Sequence, residues 1–304
     1  DPEYNELSRA LALQLVGVYR NGRIFDILDE ITARRRAVRP ISAASGQPLI
    51  EVLLPELGRA RQFGRINGAR MWLADQAHDD AEFFRAFEST LALARIERSQ
   101  PFAIDTNVAT AIELKALRDL RRALFTKRTP QWLDSAEAAI SRQRSDVPLS
   151  HAFAGERISA LDTACFVFSD PDNVRFGTNS RTFQNLLGGN SVIVRDQGAA
   201  STYARNKAAL IAQLDRLEAW AARPRWERAD AVAPRERQSQ YALVRAFATN
   251  GPNIGRLDEL NLERLTISTM IALERFSLAN NAYPPNLESL VPRYLNTVPI
   301  DPWS

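Results

Sequence analysis

Cysteine is nearly missing from this chain: Cys165 is the single one among 304 residues. No intrachain disulfide can form, and no cysteine cluster can hold a metal. Histidine is almost as scarce, with only His78 and His151, and neither stands in a metal-ligand spacing. No apolar run approaches the roughly 20 residues that span a bilayer. Lysine occurs only at Lys115, Lys127 and Lys207, so the bases are almost all arginine. A phosphate-cradling glycine loop is lacking too, because Gly188-Gly189-Asn190 has neither the further glycines nor the Lys-Ser/Thr pair. No Gly-x-Ser-x-Gly elbow is present to hold a nucleophilic serine.

What is there is ordinary for a globular protein: 45% hydrophobic and 25% charged residues, with a formal net charge of +3. The arginine bias fits a GC-rich genome better than a nucleic-acid binder, since acids are interspersed throughout. Trp220, Arg223, Arg225, Trp226 and Arg228 offer the residue types that stack on bases. Glu218, Glu227 and Asp230 interrupt them, so nucleic acid is not an expected partner and a cation–π surface is. Cys165 lies in the apolar run Ala164-Cys165-Phe166-Val167-Phe168 and reads as a buried small hydrophobe. Asp1 rather than methionine opens the chain, and a signal peptide or membrane anchor upstream is expected.

Helical periodicity dominates. Leu11, Leu15, Val18, Ile24, Ile27, Leu28 and Ile31 form a stripe broken at Asn21-Gly22. Arg34-Arg35-Arg36 suits a solvated helix end. Leu49–Ala77 carries Leu53, Leu57, Ala60, Phe63, Ile66, Ala69 and Leu73, then a turn at His78-Asp79-Asp80 and a second helix over Glu82–Arg98. Together they predict an αα-hairpin. Further helices are predicted from Pro101 to Leu124, from Thr129-Pro130 to Arg142, and from Pro148 to Phe168 with a stripe at Ile158, Leu161, Cys165 and Phe168. Ser169–Ala200 is rich in Gly, Asn, Ser and Asp and reads as irregular and functional, apart from a β-like burst at Ser191–Val194. Helix returns over Tyr203–Ala222 and Tyr241–Ala248. The hairpins resemble tetratricopeptide-like solenoids without a strict repeat, which leaves a true array open.

Candidate chemistry is sparse. His78 reads as a surface turn histidine and His151 as a residue beside a helix start. A hydrolase or small-ligand site using either histidine with carboxylates is the alternative. Ser169-Asp170-Pro171-Asp172-Asn173 holds oxygen ligands, but in the spacing of an acidic turn rather than a helix-loop-helix calcium loop. Glu113, Asp119, Glu137 and Asp162 read as solvated helix faces, without the paired Glu-x-x-His of a di-iron site. No cofactor or metal is expected.

The end of the chain is the most patterned part. After a helix stripe of Ile267, Ile271, Leu273, Phe276 and Leu278 come Ala282-Tyr283-Pro284-Pro285, then Leu287, Leu290, Val291, Pro292, Tyr294 and Leu295, then Pro299, Asp301, Pro302 and Trp303. This cadence resembles the Tyr-Pro…Asp-Pro-Trp end of the major pseudopilins of type II secretion. With Ala92-Leu93-Ala94-Arg95 and Gly155-Glu156-Arg157, it also resembles membrane-anchored helical envelope proteins of planctomycete-like bacteria. The first likeness does not extend upstream, and no calcium-ligand segment can be matched. The second implies an N-terminal membrane helix and a short tail beyond Ser304. Pro284 and Pro285 stop the helix, and Leu287, Leu290 and Leu295 are expected to pack back on its stripe, as a capping role requires.

The expected fold is therefore mainly α, of antiparallel helical hairpins, solenoid-like stacking being one option, with an irregular segment and a proline-rich C-terminal closure. The regions are 1–168, 169–200 and 201–304, read as one continuous domain. The expected function is non-enzymatic: a periplasmic or extracytoplasmic, membrane-associated scaffold or accessory subunit. Its partners would be other envelope or membrane proteins, met through helix faces and the 169–200 segment. A pseudopilus-associated secretion component is a further alternative.

Overall fold

A computed structural model describes residues 6–37, 39–43, 47–52, 54–143, 147–169, 203–228, 239, 241–247 and 252–301. All regular structure among them is helical, so the protein is mainly α. The chain runs through α1 (Glu6–Asn21), α2 (Ile24–Glu30), α3 (Glu56–Gln76), α4 (Asp80–Arg98), α5 (Ala103–Leu124), α6 (Pro130–Gln143) and α7 (Leu149–Ser169). Then come α8 (Tyr203–Ala221), the single turn α9 (Arg225–Arg228), α10 (Ala242–Phe247) and the long α11 (Ile254–Asn280). The expected irregular segment from Asp170 to Ala200, with its acidic turn and its glycine pair, lies outside the described residues.

Local chemistry explains the boundaries. Asp79 caps α4 by accepting the Glu82 amide at 2.9 Å, and Asn253 caps α11 by accepting that of Arg256 at 3.2 Å. His78 takes a left-handed φ of 55°, which lets the chain reverse between α3 and α4. The Asn21-Gly22 break falls between α1 and α2 as the sequence indicates. The helical pattern beginning at Leu49 instead yields a 3-10 turn at Leu49–Glu51, and α3 starts only after Pro55. A residue preceding proline is pushed out of the α region.

The main core joins α3, α4, α5, α6 and α11. Met71, Phe83, Phe87, Leu117, Leu120, Leu124, Leu133 and Ile267 are completely or almost completely buried in it. Each such side chain contributes about 1.5–3 kcal/mol of transfer free energy. Phe83, Phe84 and Trp132 form an aromatic trio with centroids 5.1 to 6.0 Å apart. A second core holds Ala160, Ala164, Leu210, Leu214, Leu243, Val244 and Phe247 from α7, α8 and α10. α11 packs on α5 through residues far away in sequence, with Arg121 bonded to Glu263 and Arg264 to Glu113. Purely nearest-neighbour stacking, as in a solenoid, would not make such contacts.

Two predicted faces turn out differently. On α7 the stripe of Ile158, Leu161, Cys165 and Phe168 is not the buried one. Ile158 and Cys165 are exposed, and the buried face is Ala152, Phe153, Gly155, Ser159, Ala160, Thr163 and Ala164. Small residues let α7 approach its neighbours closely: a Cβ on Gly155 would stand 1.8 Å from the Pro101 carbonyl oxygen. Cys165 is thus no core hydrophobe, and its sulfur lies 3.1 Å from the Tyr203 hydroxyl. On α1 and α2, Val16, Phe25 and Leu28 face inward, while Leu11, Leu15, Val18 and Ile27 face solvent.

Candidate functional site

Arginine ion pairs hold the helices in place. Arg70, buried on α3, gives both terminal nitrogens to Asp29 at 2.9 and 3.0 Å and its Nε to Glu82 at 2.8 Å, over the ring of Phe25. Arg228 grips Asp258 through two bonds of 3.0 and 2.5 Å and lies over Trp220. The aromatic-arginine segment expected on the surface is therefore partly interior, with Trp226 left exposed. Glu113 and Asp119 are not solvated carboxylates either. Glu113 is buried between Arg98 and Arg264, and the mostly buried Asp119 holds Lys115 at 3.0 Å. Glu137 does face solvent, paired with Arg275, and Asp162 accepts the Leu49 amide at 2.7 Å.

At the first turn of α5, acids outnumber bases. Arg39 donates to Glu56 at 2.5 Å and to Asp105 at 2.6 Å, and Glu97 stands 4.0 Å away with one oxygen lacking any hydrogen bond. Asp105 also accepts the Phe102 amide, closing the helix start. Burial pushes the Glu97 carboxyl up to about 7 against the pull of Arg39, and that of Asp105 up to about 6. Glu156, accepting the Ala103 amide at 2.9 Å, is raised by burial as well. No group of three or more His, Cys, Asp or Glu suited to a metal ion occurs among the described residues.

Two grooves among the described residues carry polar side chains. The first, about 420 Å³, is lined by Arg36, Ser99, Pro148, Ser150, His151, Arg157 and Glu218, among others. His151 Nε2 lies 3.1 Å from the Ser99 carbonyl oxygen, which only accepts, so this nitrogen carries a proton. Arg157 is neutralised by Asp215 at 2.6 Å and Glu218 at 3.4 Å. The polar groups of this groove are largely occupied with each other. His78, by contrast, sits exposed in its turn, so the two histidines do not form one site.

The second groove, about 350 Å³, runs between α3 and α5 and is lined by Arg61, Gly64, Arg65, Ala111, Ile112 and Lys115. Gly64 lets α3 press against α5, since a Cβ there would meet Ile112 at 3.2 Å; one on Gly68 would meet the Lys115 chain at the same distance. Sequence reasoning missed this groove. The signal available was the i,i+4 pairs Arg61/Arg65 and Gly64/Gly68 inside one helical period. Comparison with known protein families, with curated proteins and with solved structures finds no match.

The C-terminal residues singled out in the sequence are spread over a surface rather than gathered around a pocket. The exposed Tyr283 hydroxyl accepts from Arg128 at 3.0 Å and donates to Glu274 at 2.9 Å. Pro284 is half-buried, Pro285 exposed and Leu287 half-buried within a 3-10 turn ending at the fully buried Leu290. Pro292 follows a cis peptide bond, and Tyr294 meets Phe276 edge-on at 5.8 Å. Pro299 is half-buried and Asp301 exposed, while Pro302 and Trp303 lie outside the described residues. The helix stripe expected beneath this tail is divided: Ile267 and Ile271 face the main core, Phe276 faces the tail and Leu278 faces solvent.

Proposed function

We propose that the protein is a non-enzymatic, membrane-associated scaffold or accessory subunit of an envelope complex, docking an apolar helix of a partner membrane protein. One observation carries this reading. On α1, Leu11 is 58% exposed, Leu15 41% and Val18 69%, spaced i, i+4, i+7, with Ile27 of α2 at 57%. The adjoining side of α1 already packs Val16 and Tyr19 against Ile66, Phe63 and Leu73. A helix apolar on two sides in water calls for a second partner, and this spacing is the ridge that a facing helix accepts. The buried ion pairs of Arg70, which join α2, α3 and α4, support a rigid platform behind that ridge. The segment from Tyr283 to Asp301 serves as a structural closure over α11, an idea supported by the burial of Leu290 and the Phe276–Tyr294 contact.

The double substitution Leu11→Glu/Val18→Glu is expected to leave thermal stability unchanged, because both side chains are exposed. It is also expected to abolish co-purification of the membrane protein that the unaltered chain retains from native membranes. Recovery of the same protein with the variant would overturn the proposal. So would a hydrolytic activity of the unaltered chain that His151→Ala removes.

A further inference from the structure

Most arginines of the helical body are neutralised: Arg20, Arg39, Arg70, Arg98, Arg118, Arg121, Arg128, Arg142, Arg157, Arg228, Arg264 and Arg275 all pair with carboxylates. Arg61 and Arg65 do not. They stand one turn apart on the same face of α3, exposed, with no ion pair or hydrogen bond to any described residue, and both line the groove against α5. Their Cβ atoms are about 6 Å apart, close enough for two guanidinium groups to meet one small anion.

Across the groove stands Lys115, whose ammonium lies 3.0 and 3.3 Å from the oxygens of Asp119. That pair positions the lysine without using up its third donor. Gly68 leaves the room in which the lysine chain lies over α3, since a Cβ would come within 3.2 Å of its Cε. The floor, from Gly64, Ala111 and Ile112, is uncharged.

The charge balance selects the ligand. Arg61, Arg65 and Lys115 supply three positive charges, and Asp119, which Arg122 also approaches to 3.5 Å, removes at most one of them. At least two remain, which suits a phosphate monoester carrying about −1.5 to −2 at neutral pH. A carboxylate or a phosphodiester, each singly charged, would leave one cation uncompensated. The arginine fork also fits phosphate oxygens in a bidentate manner. We infer that the α3–α5 groove binds a phosphate monoester dianion through Arg61, Arg65 and Lys115, with the adjoining apolar part of the ligand against Ala111 and Ile112. The groove at His151 is the internal contrast, because its Arg157 is already neutralised by Asp215 and Glu218.

The test is equilibrium binding of the whole chain to inorganic phosphate and to phosphatidylcholine vesicles with and without phosphatidic acid. Arg61→Gln/Arg65→Gln is expected to weaken binding about tenfold or more, as loss of two charged hydrogen-bond donors requires. Arg34→Gln/Arg35→Gln removes the same charge from another exposed site and is expected to change affinity less than about twofold. Ala111→Glu places an anion in the groove and is expected to abolish binding without touching either arginine. Binding of inorganic phosphate identifies a soluble monoester, and binding of the vesicles alone identifies a lipid headgroup; both support the site. Equal losses in the two arginine double variants would overturn it, as would no binding of either probe. Equally tight binding to phosphatidylglycerol vesicles, whose headgroup is a diester, would overturn the monoester assignment.

Discussion

α5 passes through two opposite electrical surroundings within a few turns. Around its first turn Glu56, Glu97 and Asp105 cluster about the guanidinium of Arg39, with Glu156 bonded to the Ala103 amide beside them. Two to three turns later Arg61, Arg65 and Lys115 outnumber Asp119. The acid excess is mostly buried under close packing, with Gly155 seated on the Pro101 carbonyl, and leaves no room for a ligand. It adapts by holding protons. The base excess is open to water and lines a groove, so its charge stays in place and is available to something outside the protein. Imbalance that is sealed in shifts proton affinity, whereas imbalance left exposed makes a binding surface.

The most severe way to break the sealed side is Gly155→Ala. Its Cβ would lie 1.8 Å from a backbone oxygen, which no rotamer change relieves. A loss above about 3 kcal/mol, or failure to fold, is expected in urea unfolding followed by circular dichroism. Stability close to that of the unaltered chain would mean that α7 and the Pro101 turn are not pressed together as described.

Glu97→Gln sharpens the same comparison by pH. The folded carboxyl titrates near 7 and the unfolded one near 4.5. Because the folded state holds the proton more tightly, this contribution is complete below about pH 4.5 and is lost as pH rises through 7. The amide cannot ionise, so the variant is expected to be more stable than the unaltered chain by about 3 kcal/mol at pH 8 and equal to it at pH 4. A difference that does not change with pH would place the proton elsewhere.

The smallest effect belongs to the open side. Arg61→Gln/Arg65→Gln is expected to shift unfolding stability by no more than about 0.5 kcal/mol, while removing the anion affinity. A clear destabilisation would show that the two arginines support the fold rather than serve a ligand.

The hairpin of α3 and α4 is legible in the sequence because its periodicity, its Asp79 cap and the His78 turn are all local and agree. The limits of α5, α6 and α8 follow for the same reason, as does the end of α11 before Tyr283-Pro284, whereas its start at Ile254, eleven residues ahead of Leu265, does not. The orientation of α7 is not, because its buried face is made of alanine, serine, threonine and glycine, which carry little hydropathy signal. α1 has apolar residues on both sides, and nothing local decides which side the rest of the chain covers. The two groups of charge on α5 draw on residues far apart in sequence, with directly bonded partners such as Arg39 and Asp105 separated by 66 positions. Only the tertiary arrangement brings them together, so single residues such as Glu113 and Asp119 look solvated until their partners are placed. The terminal motif is recognisable in the sequence, but its physical content is concentrated in Leu290, Tyr283 and Tyr294 rather than in all of its prolines.

The placement of α11 has a consequence for biosynthesis. Leu260, Ile267 and Ile271 complete a core whose other members all lie between Met71 and Ala139. On the ribosome, α3 to α6 emerge well before the wall that covers them. Until residue 271 and its surroundings leave the exit tunnel, the half-built interior presents apolar surface to the cell. The last third of translation is therefore the interval in which the nascent chain is expected to be most exposed to aggregation.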